Sequence, residues 1–174
     1  GSNFQPITAR PQVGISPPAG NFVYFGTGRY FAVGDNGVGT GANTLYAIRD
    51  TNEKGATTLV LPAAGRSALV EQQVLNEQVV NFDGNTKGVR VTTNNPIADD
   101  DDGWYLDLPT SGERQVSTPI LRAGRIIFTT VIPSGDECSA GGDSWLMELD
   151  ALSGSRLGTS PFDGEGVPTR KTPI

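Results

Sequence analysis

GRIIFTTVIPSGDECSAGGDSWLMELDALSGSRL, residues 124–157, is the stretch on which the fold turns. With a strand period of two, Ile126, Phe128 and Ile132 fall on one face and Ile127, Thr129 and Val131 on the other. Both faces are apolar or nearly so, which suits a strand covered on two sides. Pro133 breaks the run, and residues 133–143 are rich in Gly, Ser and acids, a loop composition. Trp145, Met147 and Leu149 mark a second strand with one apolar face, Glu148 and Asp150 lying opposite. Asp150-Ala151-Leu152-Ser153-Gly154 closes the unit as a turn, because Asp accepts local backbone hydrogen bonds and Gly supplies positive φ.

The same unit occurs earlier. Phe22-Val23-Tyr24-Phe25-Gly26-Thr27 is an apolar strand like Ile126-Ile127-Phe128-Thr129-Thr130, and a Gly-rich loop covers residues 34–42. Leu45-Tyr46-Ala47-Ile48-Arg49-Asp50-Thr51 then parallels Leu146-Met147-Glu148-Leu149-Asp150-Ala151. Matching Phe25 to Phe128 displaces the first strand by 128 − 25 = 103 positions, and Tyr46 to Met147 displaces the second by 147 − 46 = 101. Propeller blades run to roughly 40–50 residues, so the displacement fits two blade steps with a degenerate blade between them. Chance similarity within β-rich sequence is the competing explanation.

The composition agrees with short strands and frequent turns. The 174 residues include 23 Gly and 12 Pro, spread along the chain, as in all-β sandwiches, barrels and propellers. The length suffices for one domain with a real core. A net charge of −6 makes nucleic acid and anionic membrane poor partners, since an acidic surface repels phosphate. There is no His, which removes the commonest general base, the Ser-His triad and the usual zinc ligand. Cys138 is the single cysteine, so one chain cannot form an internal disulfide. No stretch reaches the length of a transmembrane helix, no signal peptide opens the chain, and Gly1-Ser2 has the look of a cloning remnant.

Taken in order, Pro6, Pro11, Pro17 and Pro18 leave room for one short edge strand around residues 7–13. Strands are expected at residues 22–27, 44–49 and 57–61. Residues 67–81 are ambiguous: the Gln and Glu content suits a helix, but Val70, Val74, Val79 and Val80 favour a strand. Asp83-Gly84-Asn85 reads as a hairpin turn, with Val89-Arg90-Val91-Thr92-Thr93 pairing back across it. Trp104-Tyr105-Leu106-Asp107-Leu108 is a strand, and residues 115–121 lead into the sheet of the opening stretch. Residues 3–159 therefore read as propeller-type blades and 160–174 as a tail or linker.

Few residues suggest chemistry. Gly26-Thr27-Gly28-Arg29 lacks the helix that a phosphate cradle would open, so its small residues read as a bend packed close to a neighbour. Asp99, Asp100, Asp101 and Asp102 are weak cation candidates, because calcium sites space their acids at alternate positions. Asp136, Glu137 and Asp143 carry a fainter suggestion of the same kind. Cys138 has no His to activate it. Trp104, Trp145 and Met147 read as core, and Asp35, Asp107 and Glu148 form no evident acid/base pair.

Several of these segments resemble a known family. Phe25-Gly26-Thr27-Gly28-Arg29-Tyr30, Gly103-Trp104-Tyr105-Leu106-Asp107-Leu108-Pro109, Gly112-Glu113-Arg114, residues 124–133 and residues 138–150 are similar to the C-terminal region of PilY/PilC-type proteins, the type IV pilus tip adhesins and biogenesis factors. The resemblance covers most of residues 5–165. It implies a modified, quinoprotein-like β-propeller, exported through the periplasm and displayed at the pilus tip or outer surface. It implies work with minor pilins in assembly, adhesion to host-cell or abiotic surfaces, and surface sensing, without catalysis. The Leu-Asp-Ala-Leu-Ser-Gly turn is similar to the docking turn of quinoprotein propellers, with no quinone inferred. The family's calcium loop lies upstream, so no cofactor is expected in this chain. At roughly 40–50 residues each, 174 residues hold three or four blades, whereas closed propellers have about four to eight. The chain thus reads as a fragment whose open edges are capped or paired between two copies. A sugar-binding or enzymatic propeller remnant and a periplasmic scaffold subunit are the alternatives.

Overall fold

Eleven strands are laid out among the described residues of the computed structural model, which are 4–16, 20–37, 41–50, 65–82, 85–134, 142–158 and 169–173. In chain order they are β1 (Gln12–Ser16), β2 (Gly20–Gly26), β3 (Thr44–Asp50), β4 (Val70–Gln72), β5 (Val74–Phe82), β6 (Asn85–Thr92), β7 (Gly103–Asp107), β8 (Ile120–Arg122), β9 (Arg125–Pro133), β10 (Gly142–Asp150) and β11 (Thr169–Pro173). They form a five-stranded sheet in the order β1-β2-β3-β7-β4, a four-stranded sheet β11-β10-β9-β8, and the hairpin β5-β6. Pairing is antiparallel except between β4 and β7, which run parallel.

One face of each large sheet supplies the core. Phe22 and Tyr24 of β2, Leu45 and Ala47 of β3, and Trp104 and Leu106 of β7 meet Ile126, Phe128, Trp145, Met147 and Leu149 of β9 and β10. In the first sheet Tyr24 pairs with Ala47 and Ala47 with Trp104, so a small residue sits between two large rings. Side chains of this size, fully buried, each contribute about 1.5–3 kcal/mol. The sheets also meet at one side, where β1 touches β8. The opposite face of the first sheet carries the row Phe25–Tyr46–Tyr105, with ring centroids 5.4 and 6.3 Å apart. The Arg66 guanidinium lies 3.9 Å above the Tyr105 ring and pairs with Asp107.

The all-β, propeller-like reading holds, and so do strands at the expected places in β2, β3, β7, β9 and β10. The repeat holds with a correction of register. Phe25 lies on the outer face of its sheet whereas Phe128 is in the core, so displacements of 103 and 101 match opposite faces. A slip of one residue reverses every side chain in a strand. Core residues match instead at one displacement: 126 − 24 = 102, 147 − 45 = 102 and 149 − 47 = 102. The pair Tyr24↔Ala47 then stands where Ile126↔Leu149 stands.

Other expectations shift. The edge strand begins at Gln12, beyond Pro6 and Pro11, instead of at residue 7. The ambiguous residues 67–81 are not one strand: a 3-10 turn (Gly65–Ala68) precedes β4, and β5 belongs to a different sheet. Gln72 marks the switch, its side chain fully buried and bonded to Asn95 and Ser153 carbonyls at 2.8 Å. Within the expected tail, Thr169–Pro173 is β11, paired to β10 with Trp145 opposite Lys171. Residues 57–61, Asp83 and Gly84 lie outside the described residues, although Phe82↔Asn85 pairing matches a hairpin there.

Candidate functional site

Charged side chains gather where the β2–β3 connection meets the segment before β8. The last rung of that hairpin is the Thr27 N–H on the Thr44 carbonyl at 2.9 Å. Gly28 follows with φ +141, and a β-carbon there would lie 2.7 Å from Cβ of Arg114. Small residues are therefore required by close approach, as the sequence suggests. Arg114 is tied to β9 by reciprocal backbone bonds with Val131, at 2.9 and 2.8 Å, and its neighbour Gln115 donates to the Thr27 carbonyl at 3.0 Å.

From that anchor Arg114 clasps the loop at residues 29–37. Its guanidinium donates to the carbonyls of Arg29 at 3.1 Å, Gly37 at 2.7 Å and Asp35. The loop is also closed on itself. Arg29 Nε donates to Asp35 Oδ1 at 3.0 Å, and Asp35 Oδ2 accepts the backbone N–H groups of Phe31 at 3.0 Å and Ala32 at 2.7 Å. The Arg29 hydrogen bond, with those two N–H groups, holds the Asp35 carboxyl down at about 2, against 3.8 ordinarily. At the tip an open hollow of about 450 Å³ is lined by Tyr30, Phe31, Val33 and Asn36 among others.

One residue before Arg114, Glu113 faces inward. Arg90 of β6 grips its carboxylate with both terminal nitrogens, at 2.6 and 2.7 Å, and neither side chain is exposed at all. Thr130 of β9 donates to Glu113 Oε1 at 2.6 Å, Arg90 Nε donates to Glu77 of β5 at 2.8 Å, and the guanidinium stands 4.1 Å from the Trp145 ring centre. A buried charge pair persists only when its remaining hydrogen-bonding groups are satisfied, and here the partners come from β5 and β9. The pair fastens the β5–β6 hairpin to the second sheet.

The turn after β10 joins the two large sheets. Asp150 Oδ1 accepts the N–H groups of Leu152 at 3.0 Å and Ser153 at 2.9 Å. Gly154 follows at φ +67, packed on the Trp104 ring, and Trp104 Nε1 donates to the Ala151 carbonyl at 3.1 Å. This is the Asp-to-Gly turn that the sequence describes, seated on a tryptophan of the other sheet.

The remaining sequence candidates are scattered. Asp99, Asp100, Asp101 and Asp102 make a turn: Asp101 Oδ2 accepts the Ala98 N–H at 2.7 Å, and the Asp102 carbonyl accepts Arg49 N–H at 2.8 Å. Among the described residues no group of three or more Asp, Glu or Cys side chains is placed to hold a metal ion. Asp136, Glu137 and Cys138 lie outside the described residues, and Asp143 sits in β10. Asp35, Asp107 and Glu148 are each bonded to a different arginine, Arg29, Arg66 and Arg125. No local pattern in the sequence marks Arg90, Glu113 and Arg114 as a site; the Gly112-Glu113-Arg114 run belongs only to the family resemblance.

Packed sheets, antiparallel but for the β4–β7 pair and joined by a tryptophan-docked turn, make an all-β domain of the layered kind that propeller blades also form. The family described as the PilY1 beta-propeller domain matches residues 1–87, half of the chain. A type IV pilus biogenesis factor PilY1 homolog of Xylella fastidiosa is 38% identical over 157 residues, covering 86% of this chain and 10% of the relative. The type IV pilus biogenesis factor PilY1 of Pseudomonas aeruginosa PAO1 is 30% identical over 172 residues, covering 91% of this chain and 15% of its own. The crystal structure of the Pseudomonas aeruginosa PilY1 C-terminal domain matches with a TM-score of 0.83 at 26% identity, over 97% of this chain and 39% of that one. The chain belongs to the PilY1 β-propeller family. It spans only a tenth to about a seventh of those two relatives.

Proposed function

We propose that this domain is part of a type IV pilus biogenesis factor and acts without catalysis, through contacts with other proteins. The observation that carries the reading is the fold match along 97% of the chain to a PilY1 C-terminal domain, joined to the family match. The non-catalytic reading draws on Asp35, Asp107 and Glu148, whose carboxylates are each occupied by an arginine. The same relatives, type IV pilus biogenesis factors by name, support an exported, pilus-associated location; contact with minor pilins at the pilus tip, with adhesion and surface sensing as the outcome, is the finer part of this proposal. No helix among the described residues is long and apolar enough to cross a membrane. Deleting the gene should abolish or reduce surface pili and attachment to a solid surface. Normal piliation and attachment in the deletion strain would refute the proposal.

A further inference from the structure

The loop clasped by Arg114 ends in apolar side chains turned to water. Phe31 is 76% and Val33 107% exposed, with Tyr30 at 46%. Phe4, 89% exposed, lines an adjoining hollow with Arg29, Asp35 and Arg114. Large apolar residues gathered at one corner exceed the scattered single exposures of ordinary surfaces. The backbone beneath them is also fixed, by the Asp35 carboxylate and by three Arg114 bonds to loop carbonyls. A preformed loop loses little freedom on binding, and aromatic anchors concentrate binding free energy.

We infer that residues 29–37 form a rigid docking knob whose partner is an apolar groove on another protein. The docking itself rests on this geometry; assigning the partner to the pilus rests on the function proposed above. Charge argues against a lipid surface. Arg29 and Asp35 neutralise each other at 2.9 Å, Arg114 faces carbonyl oxygens, and the chain carries −6, so nothing cationic is offered to anionic headgroups. Area argues against a second copy. A tip of three apolar side chains buries a few hundred Å², short of the roughly 1,200 Å² of a stable dimer and in keeping with a small, transient contact to a different protein.

The test places the photoreactive residue p-benzoylphenylalanine at position 31 of the full chain in its native cells. Val79, 74% exposed on β5, is the control position. Irradiation should link position 31, and not position 79, to one other protein. The purified soluble domain of that protein should bind the unaltered chain and bind F31S/V33S at least tenfold more weakly, with the melting temperature unchanged. Absence of a protein adduct, an adduct only to a second copy, co-sedimentation of the domain with phosphatidylglycerol vesicles, or equal affinity of the double variant would each overturn the inference. An adduct to a protein outside the pilus keeps the docking knob and removes the pilus assignment. Lost piliation on gene deletion with no adduct does the reverse.

Discussion

Arg90 and Glu113 show how much one buried contact can carry. Their bidentate pair has no exposed surface, so neither charge has water to fall back on. Glu113→Gln leaves the Arg90 cation buried without its full countercharge, and should lower stability by about 3–5 kcal/mol in urea denaturation. The double change R90M/E113L removes both charges and should cost less than the single one, despite the partners lost by Glu77 and Thr130. A double variant less stable than E113Q would contradict this. Asp35 responds to acid in a defined direction. Its carboxyl sits at about 2 in the fold and at 3.8 ordinarily, so its bonds to Arg29, Phe31 and Ala32 support the loop fully above pH 4. That support fades as pH falls from 4 through 2. Protection of the Phe31 and Ala32 amides, taken relative to their intrinsic exchange rates, should therefore fall below pH 4 by more than in D35N, which has no carboxylate to protonate.

At the scale of elements, the Asp150–Gly154 turn decides how the two large sheets sit. Gly154→Ala meets both a left-handed backbone and the Trp104 ring, and should cost about 2–5 kcal/mol. Trp104→Phe keeps most of the ring and loses the bond to the Ala151 carbonyl, for about 1 kcal/mol. Melting both variants ranks them; a milder effect from G154A than from W104F would sink the account. The turn and the hairpins β2–β3 and β9–β10 were legible in the sequence because apolar residues alternate there and Asp and Gly punctuate them. The strand character of residues 67–81 was legible too, but not its division between β4 and β5, because one valine-bearing segment serves two sheets and Gln72, polar yet buried, sits at the join. β11 was hidden by Arg170 and Lys171, which give an edge strand no apolar period. The Arg90–Glu113 pair spans 23 positions and leaves no local pattern at all.

For the molecule as a whole, both large sheets drain into one core. Trp104 and Trp145, the two tryptophans of the chain, lie on opposite sides of it. Unfolding followed by tryptophan fluorescence and by far-ultraviolet circular dichroism should give one coincident transition. Separate midpoints would mean that the sheets hold independently. The two hairpins also show how much chain the knob requires. Between matched core rungs the chain runs 45 − 26 = 19 positions in one hairpin and 147 − 128 = 19 in the other. The second hairpin uses that length to carry its ladder on to Pro133↔Gly142, while the first ends its strand pairing at Gly26↔Leu45, with one further backbone bond from Thr27 to Thr44. The excursion that presents Phe31 thus takes no more residues than the other hairpin's continued ladder: the two differ in pairing and not in chain length.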